Sequence, residues 1–145
     1  MKTIAIASDH AGFELKELLK KTIESLGYKV IDLGADSTKS VDYPDYGYKL
    51  ATSVSKGDAQ FGVAICGSGI GISIAANRKP KVRAALCHNV ETAALARQHN
   101  NANVLALGAR FVSAELAIEM LKTFLSTEFE GGRHENRVKK LGSRN

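Results

Sequence analysis

No apolar run in this chain approaches the roughly 20 residues that a membrane-spanning helix requires, so a membrane role is not expected. The opening MKTIAIASDH turns polar after a short apolar run. It lacks the apolar middle and small-residue cleavage site of a secretory signal, and the sequence reads as a cytoplasmic, soluble protein. Cysteine is scarce. Cys66 and Cys87 stand 21 residues apart without CxxC spacing, which suggests neither a disulfide framework nor a zinc cluster. No HxxxH pair joins the four histidines, so no metal site is expected. Positive charge is in excess, with a formal net of +5, but it is not spread out. Residues 133–145 hold five basic residues against Glu135 alone, and the rest is nearly neutral. That pattern fits a small anionic ligand or a solvated tail and gives no footprint for nucleic acid.

What the chain does have is alternation. Apolar, β-branched runs at 3–7, 29–33, 61–66, 82–87 and 103–108 read as strands, separated by stretches of helical period. In the first such stretch Leu15, Leu18, Leu19, Ile23 and Leu26 share one face, while Lys16, Glu17, Lys20, Lys21 and Glu24 take the other; Gly27 ends the helix. Further helices are expected from about Asp45 to Ser55, from the glycine loop to Asn77, from Asn89 to about Gln98, and after a Ser113 cap. The last of these should bury Leu116, Ala117, Met120, Leu121 and Phe124. Residues 34–46 are polar, interrupted by Pro44, and read as a long connection. The whole, 1–145, is one α/β domain: a three-layer, doubly wound (Rossmann-like or flavodoxin-like) five-stranded parallel sheet flanked by helices, with a basic C-terminal segment 131–145. The commonest strand order for such a sheet, 2-1-3-4-5, would set Asp9 and His10 across a crevice from the loop after the third strand.

That loop is CGSGIGISIAANR, Cys66 to Arg78. Its GxGxG spacing is not the GxGxxG of a dinucleotide site, and no carboxylate follows the next strand. A P-loop would need Gly-Lys-Ser or Gly-Lys-Thr, which occurs nowhere. No cofactor is therefore expected. What remains is a tight backbone run entering a helix, able to point N–H groups at an anion or simply to let strand and helix pack closely. Cys66 ends its strand beside that helix start, where the thiolate is favoured and can act as nucleophile or base. Cys87 reads as a small buried hydrophobe.

Five separated stretches, ASDHAGFELK, DYPDYG, CGSGIGISIAANR, ARQHNNANVLALGAR and GGRHENRVKKL, closely resemble the type B ribose-5-phosphate isomerases, whose wider family includes galactose-6-phosphate and allose-6-phosphate isomerases. The resemblance implies a metal-independent aldose–ketose isomerase acting between ribose 5-phosphate and ribulose 5-phosphate in the non-oxidative pentose phosphate pathway. It implies Cys66 as the base, and Gly67, Ser68, Gly69, Ile70 and Gly71 as an anion hole in which the Ser68 hydroxyl assists. It makes His99 and Asp9 the ring-opening pair, with Asn100 and Tyr43 on the sugar. His10, Arg110, Arg133 and Arg137 would hold the phosphate. One branch of the family carries a glutamate where this chain has Ile72, so the match is to the cysteine branch. An isomerase of a six-carbon sugar phosphate and a silent sugar-phosphate-binding protein stand as alternatives.

Arg133 and Arg137 are four apart, which on a helix puts both on one face; the plain reading of the same residues is a solvated tail. His88 and His134 read as structural or solvent-facing. The helix after strand 4 runs back from the Cys66 edge, so His99 and Asn100 should lie far from their own Cys66. That leads to a homodimer with shared sites, alone or as a dimer of dimers.

Overall fold

The computed structural model describes residues 2–142. Its elements are β1 (Thr3–Ser8), α1 (Phe13–Ser25), β2 (Lys29–Asp32), α2 (Tyr43–Ser55), β3 (Phe61–Cys66), α3 (Ile70–Ala76), β4 (Ala84–Leu86), α4 (Val90–Asn100), β5 (Val104–Gly108), α5 (Ala114–Ser126) and α6 (Arg133–Leu141). The strands form one all-parallel sheet in the order β2-β1-β3-β5-β4. The doubly wound α/β reading holds, and the expected order is corrected: β5, not β4, lies beside β3. The physical reason is burial. β5 is buried at every position, whereas β4 is short and half-buried, with Arg83 at its approach, which suits an edge.

The swap moves a helix. α1, α4 and α5 pack Leu19, Ile23, Ala93, Ala96, Met120 and Phe124 on one face of the sheet, and α2 and α3 pack Leu50, Val54, Ile72 and Ala76 on the other. Right-handed crossovers require this. Steps toward β2, including β4 to β5, are covered on the α1 face, and steps toward β4 on the α2 face. α6 then lies on α4, His134 stacking against His99.

Local signals behave as their chemistry demands. Asn89 and Ser113 cap α4 and α5 by accepting from the N–H groups of Thr92 and Leu116. Pro44 does not prolong the connection; it sits in the first turn of α2, where its missing N–H costs nothing. Two expectations for α1 fail. Leu26 is largely exposed at the cap, and Lys16 is only 1% exposed, its ammonium held by Asp32 at 2.8 Å and Glu17 at 2.8 Å. A long aliphatic stem lets lysine share an apolar face when carboxylates wait at its end. α6 puts the first part of the basic segment on a helix, while Arg144 lies outside the described residues.

Candidate active site

Three loops at the carboxyl edge of the sheet enclose a cavity of about 490 Å³ lined by Asp9, His10, Tyr43, Cys66, Gly67, Ser68, Ile70, Gly71 and Arg110, among others. This is the crevice beside β1 and β3, where strand order reverses and open α/β sheets bind ligands. Asp9 follows β1 and is 6% exposed; its carboxylate accepts from the N–H groups of Ala11 (3.0 Å) and Gly12 (3.2 Å). His10 Nδ1 accepts from the Val41 N–H at 3.1 Å. The neutral ring therefore carries its proton on Nε2.

Cys66 is the last residue of β3 and 3% exposed, and its Sγ accepts from the Gly69 N–H at 3.2 Å. Ser68 Oγ accepts from the Ile70 N–H at 3.1 Å, which leaves its own O–H available to donate. Two of the five loop amides are thus spent inside the loop. An incoming anion would meet those of Gly67, Ser68 and Gly71. α3 has only seven residues, so the named donor at Sγ matters more than the helix dipole. Ile72 is fully buried under α2, with no carboxylate in its place.

The glycines have separate reasons. Gly69 has φ +77°, and a Cβ there would press on the Gly108 backbone. A Cβ at Gly67 would lie 2.6 Å from the Arg110 guanidinium, which crosses the loop while the Arg110 N–H donates to the Gly67 carbonyl at 3.0 Å. Tyr43 packs in the same way over Gly71.

His99, Asn100, Arg133 and Arg137 do not line this cavity. They sit at the end of α4 and on α6, beside the starts of β4 and β5. A six-residue strand separates the two edges by about 17 Å. There His99 stacks on His134, with centroids 4.3 Å apart and planes at 14°. Glu130 approaches His134 Nε2 at 3.6 Å. Burial first, then the neighbouring His99 and Arg133, pushes the His134 imidazole below its ordinary range, against an opposing pull from Glu130. His134 is 7% exposed, which leaves the structural of the two sequence readings and removes the solvent-facing one. The ligand atoms of His99, Glu130 and His134 lie within 4.8 Å of one another, a grouping no linear spacing announces. Arg133 and Arg137 beside it make the neighbourhood positive and better suited to an anion than to a cation.

His134 was missed as a site neighbour because one histidine between two arginines carries no motif of its own. Arg97 was missed because a charged residue in a helix reads as surface, yet it is buried.

The ribose/galactose isomerase family model matches residues 4–141. A Rickettsia conorii protein whose name goes no further than sugar phosphate isomerase is 46% identical over 97% of this chain and 99% of its own. The structure of a ribose 5-phosphate isomerase from Thermotoga maritima superposes with a TM-score of 0.95 at 53% identity, over 97% of each chain. A ribose-5-phosphate isomerase B of Mycoplasma genitalium, solved with ribulose 5-phosphate bound, has a TM-score of 0.93 at 44% identity over 97% of this chain and 93% of its own. Among the described residues no helix is long and apolar enough to cross a membrane.

Proposed function

The chain belongs to the ribose/galactose isomerase family of sugar phosphate isomerases, and on that premise we propose that it interconverts ribose 5-phosphate and ribulose 5-phosphate through an enediolate. The carrying observation is the Cys66 thiol. It is buried at a strand end, accepts from the Gly69 N–H, and shares a cavity with Asp9, His10 and Arg110.

In the open aldose, the C2 hydrogen is acidified by the C1 carbonyl. The Cys66 thiolate removes it, and negative charge develops on O1. The N–H groups of Gly67, Ser68 and Gly71 meet that charge, each contributing about 3 kcal/mol in such settings. The thiol returns the proton to C1, while the O2 proton passes to O1 with the Ser68 hydroxyl beside it, leaving the ketone at C2. His10 through Nε2 and Arg110 anchor the phosphate at the far end, and Tyr43 borders the sugar.

Ring opening needs a second acid–base group beside Asp9, because His10 in the same cavity is given to the phosphate. We assign it to His99, with Asp9 opposite and Asn100 on the sugar, reaching in from a second copy. Arg133 and Arg137, exposed on the same α6 face, complete the phosphate grip from that copy. A homodimer with two shared sites is the arrangement that uses every one of these groups.

The test is isomerisation of ribose 5-phosphate by wild type and Cys66→Ala. Loss of a general base costs about a thousandfold in turnover, and inorganic phosphate should still bind. Equal rates would remove Cys66 from the mechanism. Parallel kinetics on allose 6-phosphate decide the chain length: a higher kcat/KM there would reassign the substrate to the six-carbon class.

A further inference from the structure

Outside the cavity, Arg97, in the last turn of α4, is a charged side chain only 7% exposed. Its guanidinium joins three stretches of chain. Nε donates to the Thr127 carbonyl at 3.1 Å, just past α5, and one terminal nitrogen donates to Asn101 Oδ1 at 3.0 Å and to the Ala102 carbonyl at 2.6 Å. The plane lies 4.9 Å from the Phe61 ring centre and 5.8 Å from that of Phe124. No carboxylate pairs with it among the described residues. Burial, and then Arg83 nearby, push its pKa down.

An ion held this way contributes little to stability beyond what an apolar side chain of similar volume would give. It does contribute geometry. Asn101 is the left-handed cap of α4, at φ 46° and ψ 43°, with its side chain held by Arg97 and its carbonyl by Arg83 Nε at 2.7 Å. Directly before it stand His99 and Asn100. Across from them the Glu130 N–H donates to the Gln98 carbonyl at 3.1 Å, and the same segment leads on to His134. Arg97 thus sets the α4 end against the strand of chain that carries the other imidazole.

We propose that Arg97 is a positioning residue for ring opening, fixing the α4 cap to the segment after α5 so that His99 and Asn100 meet the sugar in one orientation. This rests on the assignment of ring opening to His99. Arg97 touches neither the sugar nor the reacting atoms.

Two reactions separate this role from plain packing. Ribose 5-phosphate is a closed furanose in solution and must be opened first. Ribulose 5-phosphate, with its C5 oxygen phosphorylated, cannot close that ring, so exchange of its C1 hydrogen with deuterated water needs only the Cys66 step. Arg97→Met keeps length and contact with Phe61 and Phe124 but loses every hydrogen bond; Arg97→Lys keeps the charge. Both variants are assayed beside His99→Ala. The expected result for Arg97→Met is a fall of tenfold or more in ribose 5-phosphate turnover, with exchange into ribulose 5-phosphate reduced less than threefold. Arg97→Lys should lie between it and wild type. If His99→Ala shows this split and the Arg97 variants slow both reactions equally, or neither, Arg97 is a packing residue and the proposal fails alone. If His99→Ala itself shows no split, the ring-opening assignment fails and the proposal with it. Should Arg97→Met not fold, the ratio for Arg97→Lys decides in the same terms.

Discussion

At the Cys66 loop the functional groups are held by backbone: Gly69 N–H on the thiol, Ile70 N–H on Ser68, and Ala11 and Gly12 N–H on Asp9. Around His99 and His134 the partners are side chains, an imidazole stacked on an imidazole with Glu130 beside the pair. Backbone donors cannot swing away, and they suit a step in which charge appears on one oxygen and must be met at once. Imidazoles can gain and lose protons near neutrality, which suits opening a hemiacetal. In one chain the two regions lie at opposite edges of the sheet, so the proposed division of labour is also the argument for the proposed homodimer.

The largest effect should come from mixing defective copies. Cys66→Ala and His99→Ala homodimers should each be nearly inactive on ribose 5-phosphate. Random mixing makes half of the dimers hybrid, each with one intact site, so activity should return to about a quarter of wild type. The measurement is turnover after the two variants are unfolded together and refolded. Failure to recover any activity would place both groups in one subunit's site and dissolve the comparison.

A smaller effect should come from within the first region. Gly67→Ala puts a methyl against the Arg110 guanidinium, the far end of a flexible and exposed side chain, so the fold should survive while Arg110, the proposed phosphate anchor, shifts. Misplacing such an anchor by about 1 Å costs on the order of tenfold or more, here mainly in KM. An unchanged KM would mean that Arg110 does not hold the phosphate.

Much of this organisation was legible in the sequence, for physical reasons that differ by residue. Ile4, Ile6, Val63 and Ile65 signal strands because buried parallel strands are apolar on both faces, and the Asn89 and Ser113 caps carry their chemistry in one residue. Asp9, His10 and the Cys66 loop met as expected because the switch point depends only on β1 and β3 being neighbours. The order of β4 and β5 was not legible, since both are short apolar runs and edge position is decided by the whole sheet. Lys16 was misplaced, and Arg97 passed over, for a related reason. Their charges are buried against Asp32 and the Asn101 cap, partners that adjoin them only after folding. His134 is legible only through His99, which lies 35 residues away by number and in stacking contact in space.

The smallest effect on activity, under twofold, should come from Asp32→Asn, and it contrasts the foundations of the two regions. Lys16 and Lys20 donate to Asp32 at 2.8 and 2.7 Å, and Asp32 Oδ1 accepts from the Gly34 N–H. The Gly34 carbonyl accepts from the Ser8 N–H, one residue before Asp9. Burial opposes the charge on Asp32, but the hydrogen bonds from Lys16, Lys20 and Gly34 outweigh it and hold the carboxyl below the usual range. A depressed folded-state pKa means that the stabilisation is full above the unfolded value, about 3.9, and is lost as pH falls through the folded value. Asp32→Asn should therefore cost about 2 kcal/mol near pH 7 by leaving Lys16 with Glu17 alone, and the gap from wild type should be narrower at about pH 3, below the unfolded value. Urea unfolding at both pH values measures it. Amide exchange locates it: Ser8 and Ala35 should exchange faster in the variant, while Asn101 and Ala102, held by arginines facing carbonyls and an amide, should not. Equal acceleration at both places would show that the two regions rest on one cooperative base rather than on separate ones.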